Sequence, residues 1–328
     1  MAELTYRGAV AAGIAQEMER DSSVVFIGED VGAAGGVFKT TEGLLDKFGP
    51  DRIRDTPISE QAIVGAVMGA AMTGLRPIGE LMFSDFFAVA WDMVANQIAK
   101  TRYMTDGQVA LPLVLRTANG GGLRFGAQHS QSVENWAMAI PGLKVVAPSN
   151  PADMKGLLAA AIRDPDPVIV CEHKALFADK GEVPDGEHIV PLGQASVVRE
   201  GGDVTIVALA AMVPRAVAAA ERLQANAGIN AEVIDLRTLV PLDVPTILAS
   251  VETTSRLVTV EETPRLCGWG AEIASIVADE GFWSLDAPIV RITAPHVPLA
   301  SAPGLEDLAM PSAERIFDTV RRRLEEAR

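Results

Sequence analysis

Asp55-Thr56-Pro57-Ile58-Ser59-Glu60 closes a polar, proline-containing loop, and Gln61-Ala62-Ile63-Val64-Gly65-Ala66-Val67-Met68-Gly69 runs on from it as an apolar, glycine-punctuated helix. A carboxylate that enters an apolar helix is costly to desolvate unless it gains a specific partner or a raised pKa. Two readings are open for Glu60. It can be a first-turn acid favoured by the helix dipole behind a Ser59 cap, or a group held for a ligand. Gly65 and Gly69 each weaken an isolated helix by about 1 kcal/mol relative to alanine. Close approach of another helix would offset that loss, so the spacing predicts tight packing at a domain or subunit interface.

Outward from this stretch, apolar runs alternate with helical patterns. Strands are expected over 24–28, 77–83, 111–117, 143–147 and 167–171, with helices over 6–20, 60–73, 86–104 and 151–163. Continuous apolar strands joined by helical crossovers predict an α/β fold with a buried parallel sheet. The polar, turn-rich stretch Lys180-Gly181-Glu182-Val183-Pro184-Asp185-Gly186-Glu187 breaks the rhythm and reads as a linker. Strands then recur over 204–209, 231–236, 257–261 and 289–292, with helices over 214–225, 245–251, 270–279 and 313–326. Two α/β domains are expected, residues 1–190 including the linker and residues 191–328.

Composition bounds the function. Apolar residues are 48% and charged residues 22%, as in soluble globular proteins, and the net charge of −15 argues against nucleic acid and anionic membrane as partners. The two cysteines, Cys171 and Cys267, form no CxxC pair, which fits a reducing compartment. The N-terminus lacks an apolar signal segment, and the longest uncharged apolar-rich stretch, 62–75, falls short of the roughly 18–20 residues of a membrane span. A cytoplasmic protein is expected.

Three further stretches carry candidate chemistry. Gly126-Ala127-Gln128-His129-Ser130-Gln131 follows a glycine-rich loop, Ala118-Asn119-Gly120-Gly121-Gly122, after a predicted strand. Active sites of α/β proteins form there. His129 is the best placed of the four histidines for proton transfer; the plainer alternative is a histidine satisfied by loop carbonyls. Gly28-Glu29-Asp30-Val31-Gly32 ends a strand without a GxGxxG, so a dinucleotide site is a poor reading, and Glu29 is either near a ligand or a solvated loop acid. Phe83-Ser84-Asp85-Phe86-Phe87 is core or a stacking platform for a flat ring.

Taken in order, these motifs resemble the β subunit of the E1 component of 2-oxoacid dehydrogenase complexes. The resemblance extends over Gly69-Ala70-Ala71-Met72, 141–146, 155–158 and 232–238. It implies a pyrimidine-binding domain for thiamine diphosphate followed by a transketolase C-terminal-like domain. It implies that Glu60 hydrogen-bonds the cofactor's aminopyrimidine, that Phe86 lies beside it, and that His129 serves transfer of the acyl unit to lipoate; Glu29 is a further candidate for the cofactor site. It also implies a potassium site built from Leu113, Ala161, Ile162, Asp164 and Asp166, where Asp166 departs from an Asn of some relatives. The chain contains no Gly-Asp-Gly, the motif that holds the diphosphate and Mg²⁺ in this family. An E1 α subunit is therefore expected to supply that half, in an α2β2 heterotetramer with a second β subunit. The lipoyl and subunit-binding domains of E2 are the further expected partners. The stretches 80–86, 116–118, 171–174 and 293–296 look more like acetoin dehydrogenase than pyruvate dehydrogenase β subunits, while the short loop after Val31 keeps pyruvate and branched-chain 2-oxoacids open. Two rivals stand beside this reading: a non-catalytic assembly subunit that docks E2, and a stand-alone transketolase-like enzyme.

Overall fold

The computed structural model describes residues 1–326. By internal contacts the chain divides into two units. The first is 1–119 with 136–192, and the second is 120–135 with 193–328.

The first unit is built on parallel strands in the spatial order Lys144–Val146, Val168–His173, Val114–Asn119, Arg76–Phe83, Val24–Gly28, Ile53–Asp55. Val24–Gly28 is buried at every position, as expected of a strand covered on both faces. The chain steps from it to Ile53–Asp55 on one side and to Arg76–Phe83 on the other. Ligand crevices of open α/β sheets lie at such a reversal, beyond the carboxyl ends of the strands.

Local chemistry explains the helices that frame this sheet. The Thr5 side chain accepts the Gly8 N–H and starts Tyr6–Arg20. Asn150 accepts the Asp153 N–H and Pro151 opens Pro151–Arg163. The two helices pack on each other, and a side chain at Gly13 would meet the Lys155 carbonyl at 3.3 Å. Glu17, fully buried, bridges them by accepting from Arg163 Nε and Nη2 at 2.9 and 2.8 Å. Tyr6 is fully buried and donates to the Pro148 carbonyl at 3.1 Å; burying such a ring contributes roughly 1.5–3 kcal/mol.

Some expectations need correction. Residues 86–104 do not form one α-helix. Ser84–Ala88 is a 3₁₀ turn, Met93–Ile98 is wound as a π-helix, and only Ala99–Met104 is α-helical. Apolar spacing does not distinguish i→i+4 from i→i+5 bonding. The expected linker contains a strand, Lys180–Val183, paired antiparallel with Ala2–Thr5. Ser59 makes no side-chain cap to Glu60–Met72. Among the described residues no helix backbone closes on the two glycines of that helix. Gly65 would meet only Met93 Cε at 3.7 Å, and Gly69 faces open space.

The second unit has a five-stranded sheet in the order Val290–Ala294, Leu257–Pro264, Val204–Ala208, Ala231–Asp235, Ser196–Arg199, with only the last strand antiparallel. Helix Met212–Ala227 lies against strand Ala231–Asp235 and against helix Ala313–Glu326. Among the described residues no helix is long and apolar enough to cross a membrane.

Candidate active site

Glu29 and Glu60 leave the same edge of the first sheet. Strands Val24–Gly28 and Ile53–Asp55 are paired so that Gly28 lies opposite Asp55. Glu29 follows the first strand, and residues 56–60 follow the second. Two bonds pin these exits together: Thr56 N–H donates to the Gly28 carbonyl at 3.0 Å, and Gly32 N–H donates to Asp55 Oδ1 at 2.7 Å. A Cβ at 32 would lie 2.7 Å from Asp55 Oδ2, so a larger residue there would push the Asp55 carboxylate aside.

The two carboxylates lie near enough for the charge of Glu60 to act on Glu29. Glu29 is 7% and Glu60 8% exposed. Among the described residues, neither side chain accepts a hydrogen bond or pairs with a cation. Burial pushes the Glu29 carboxyl up, and the negative charges of Glu60 and Asp30 push it further. The residues just before Glu60 are open, Ile58 being 81% exposed. A nearly buried, unpartnered carboxylate at the mouth of a parallel sheet can accept a hydrogen bond from a ligand.

Aromatic rings line the next strand end. Phe83 is buried and makes edge contacts with Phe38 at 5.6 Å and Phe86 at 5.9 Å between centroids. Phe86 is half-buried, so part of its ring stays available for stacking. The ammonium of Lys174, 1% exposed, lies 5.6 Å from the Phe83 centroid.

Sequence reasoning missed a buried charge cluster on the central strands. Arg116 donates from Nε and Nη2 to the two oxygens of Glu172 at 2.7 and 2.6 Å and from Nη1 to Glu80. Its guanidinium also lies 5.6 Å from the Phe26 ring centroid. The available signal was three charged residues, Glu80, Arg116 and Glu172, inside largely apolar strands.

His129 belongs to the second unit. Its loop closes through Gly120 N–H to the Gln131 carbonyl at 3.0 Å. Gly121 N–H and Ser132 Oγ donate to Glu262 Oε1 at 2.6 and 3.0 Å. Gly122 N–H and Arg124 Nη1 donate to Glu306 at 2.9 and 2.6 Å. His129 is half-buried. Ser130 beside it is 1% exposed, and its hydroxyl has no partner among the described residues.

The oxygens expected to hold potassium fit that ion poorly. Val168 N–H donates to the Leu113 carbonyl at 3.1 Å and Asp164 N–H to the Ala161 carbonyl at 3.3 Å. Arg76 Nη1 donates to the Ile162 and Asp164 carbonyls at 2.9 and 3.3 Å. Lys144 Nζ bonds both Asp164 carboxylate oxygens at 2.7 Å and lies 3.4 Å from Asp166; Arg102 pairs with Asp166 as well. The chain's own cations thus supply positive charge there. Among the described residues no cluster of three or more His, Cys, Asp or Glu side chains could hold a metal ion.

Comparison with known proteins agrees with the two-unit α/β fold. The family described as the transketolase pyrimidine binding domain matches residues 2–180, and the transketolase C-terminal domain matches residues 193–316. The chain is 50% identical over 330 residues to the acetoin:2,6-dichlorophenolindophenol oxidoreductase subunit beta of Cupriavidus necator, covering 98% of this chain and 97% of that one. It is 46% identical over 320 residues to the pyruvate dehydrogenase E1 component subunit beta of Rickettsia felis, covering 98% of each. Among solved structures, a split-gene transketolase described as an inactive β4 tetramer aligns with a TM-score of 0.81 at 25% identity, over 99% of both chains. The chain belongs to the two-domain transketolase-like family that includes the β subunits of acetoin oxidoreductase and of the pyruvate dehydrogenase E1 component.

Proposed function

We propose that this chain is the β half of a thiamine-diphosphate-dependent E1 enzyme that cleaves acetoin and passes an acetyl unit to lipoate. The observation that carries the reading is Glu60, a nearly buried carboxylate with no partner among the described residues. That acceptor fits the aminopyrimidine ring of the cofactor. When bound, thiamine diphosphate supplies the carbanion stabilisation that cleavage next to a carbonyl needs. Glu60 holds a proton against the ring and fixes its protonation state. Glu29, whose carboxyl is raised by burial and by Glu60, limits how much negative charge collects at that point. Phe86 offers a partly open ring face for orientation. His129 handles a proton when the acetyl unit moves to sulfur. The balance is simple: acetoin gives acetaldehyde and an acetyl group, and the lipoyl disulfide is the two-electron oxidant, ending as thioester and thiol.

The diphosphate and Mg²⁺ fall to an α subunit, because this chain has no Gly-Asp-Gly. Gly69 in open space, with Met72 half exposed beside it, suits a helix from another subunit. The structurally similar split-gene transketolase is described as an inactive β4 tetramer. We therefore favour an α2β2 heterotetramer that works with the lipoyl and subunit-binding domains of E2. Among the described residues neither Cys171 nor Cys267 forms a disulfide, which fits the reducing cytoplasm. Acetoin is preferred to pyruvate because the relatives at 50% identity are acetoin oxidoreductase subunits.

The test is co-production with the α subunit encoded beside it, assayed with acetoin, pyruvate and branched 2-oxoacids in parallel. Acetoin should give the highest kcat/KM. Glu60→Gln should lower turnover by at least about 100-fold. Near-normal turnover in that variant would end the assignment of Glu60, and faster turnover of pyruvate would replace the substrate.

A further inference from the structure

We propose that Glu306 is a positioning residue that, with Glu262, locks the His129 loop in its working conformation. The inference rests on the acyl-transfer role given to His129 above. Glu306 is 0% exposed. A carboxylate buried that deeply must be spent on hydrogen bonds, and three donors on one loop reach it: Gly122 N–H at 2.9 Å, Arg124 N–H at 3.3 Å and Arg124 Nη1 at 2.6 Å. Arg124 is held further by the Pro303 carbonyl at 3.1 Å and by Asp307 at 2.7 Å. Glu262, 7% exposed, takes Gly121 N–H near the start of the loop and Ser132 Oγ near its end.

The loop would not hold this shape unaided. Gly120, Gly122, Arg124 and Gly126 all have positive φ, and Arg124, at 67°, has no glycine freedom to ease it. Gly121 packs so closely that a Cβ would lie 2.8 Å from Leu299 Cδ1 and 3.2 Å from Glu306 Oε1. The two acids thus fix the residues on either side of His129 without being placed to act on substrate themselves. Their loss should loosen the histidine more than it disturbs the fold.

Two measurements on Glu306→Gln test this, with Arg124→Gln as a second variant that leaves the buried acid in place. Chymotryptic nicking of the full-length chain after Phe125, which is 44% exposed, should accelerate at least about tenfold in Glu306→Gln and by less in Arg124→Gln. In enzyme co-produced with the α subunit, the ratio of lipoyl-dependent to dye-linked turnover should fall about tenfold, as in His129→Ala. Unchanged nicking in both variants overturns the proposal. So does an equal fall of both rates that tracks a lowered melting temperature, because the residue would then serve the fold alone. If His129→Ala leaves the ratio untouched, the functional reading of His129 fails, and the nicking rates still decide whether Glu306 holds the loop.

Discussion

Asp55 Oδ1 accepts the Gly32 N–H at 2.7 Å, and this bond ties the loop carrying Glu29 to the strand end that leads into Glu60. Asp55 is itself exposed, so the bond is worth only about 1 kcal/mol of stability. Its value lies in holding two carboxylates in register. Asp55→Ala should lower turnover about tenfold while costing little in urea melts, because small displacements near a reacting centre are expensive. Asp55→Asn keeps an acceptor oxygen and should recover most of the loss. Equal turnover in wild type and Asp55→Ala would show that the loop needs no such tie.

Glu29 sets a pH dependence whose sign follows from its surroundings. Burial, then Glu60, then Asp30 raise its carboxyl, so the folded chain binds this proton more tightly than the unfolded chain. The stabilising contribution is therefore complete below the unfolded carboxylate pKa and is lost as pH rises through the raised folded value. Glu29→Gln removes the charge that causes the loss. In the cofactor-free chain it should melt above wild type at pH 8, and the gap should close as pH drops into the carboxylate range. A gap that widens toward acid would mean that Glu29 is held by an attraction and not by repulsion.

Glu17 behaves in the opposite sense. Burial pushes its carboxyl up, but hydrogen bonds from Arg163, Gln16 and Arg20 outweigh that and hold it below the usual range. Its stabilisation is present above the unfolded carboxylate pKa and disappears as pH falls through the folded one. Glu17→Gln should cost about 2–3 kcal/mol at pH 7, less than a fully buried pair because Arg20 and Arg163 are half-exposed. Urea titrations at pH 7 and at pH 3 check this, and the cost should shrink at the lower pH.

How much of this was legible depended on the distance over which each feature is specified. Tyr6–Arg20 and Pro151–Arg163 were readable to the residue because Thr5, Asn150 and Pro151 mark their starts locally. The Lys180–Val183 strand was not, because its partner Ala2–Thr5 lies at the other end of the unit's sequence. Glu60, Phe86 and His129 stood out through motif and composition. Asp55 as a tether and Glu306 as a lock did not, since each acts on a residue remote in sequence: 23 positions for Gly32 and 184 for Gly122. The His129 loop follows a strand of the first unit in the chain, yet it belongs by contacts to the second. Only the folded geometry brings the buried acids to it.

The Arg116 cluster gives the sharpest stability test. One guanidinium, 2% exposed, stands between Glu80 and Glu172, which are 7% and 0% exposed. Removing it leaves two carboxylates buried without a cation, and breaking a buried pair costs about 3–5 kcal/mol. Arg116→Met should sit at the upper end, because the methionine fills the volume but satisfies neither acid. Adding Glu172→Gln should restore part of that loss, since the mutant pair no longer buries the second charge. The coupling in this double-mutant cycle should exceed about 1 kcal/mol, as for residues in one buried network. Additive effects would mean that water or Lys174 already neutralises Glu172, and that Arg116 serves Glu80 alone.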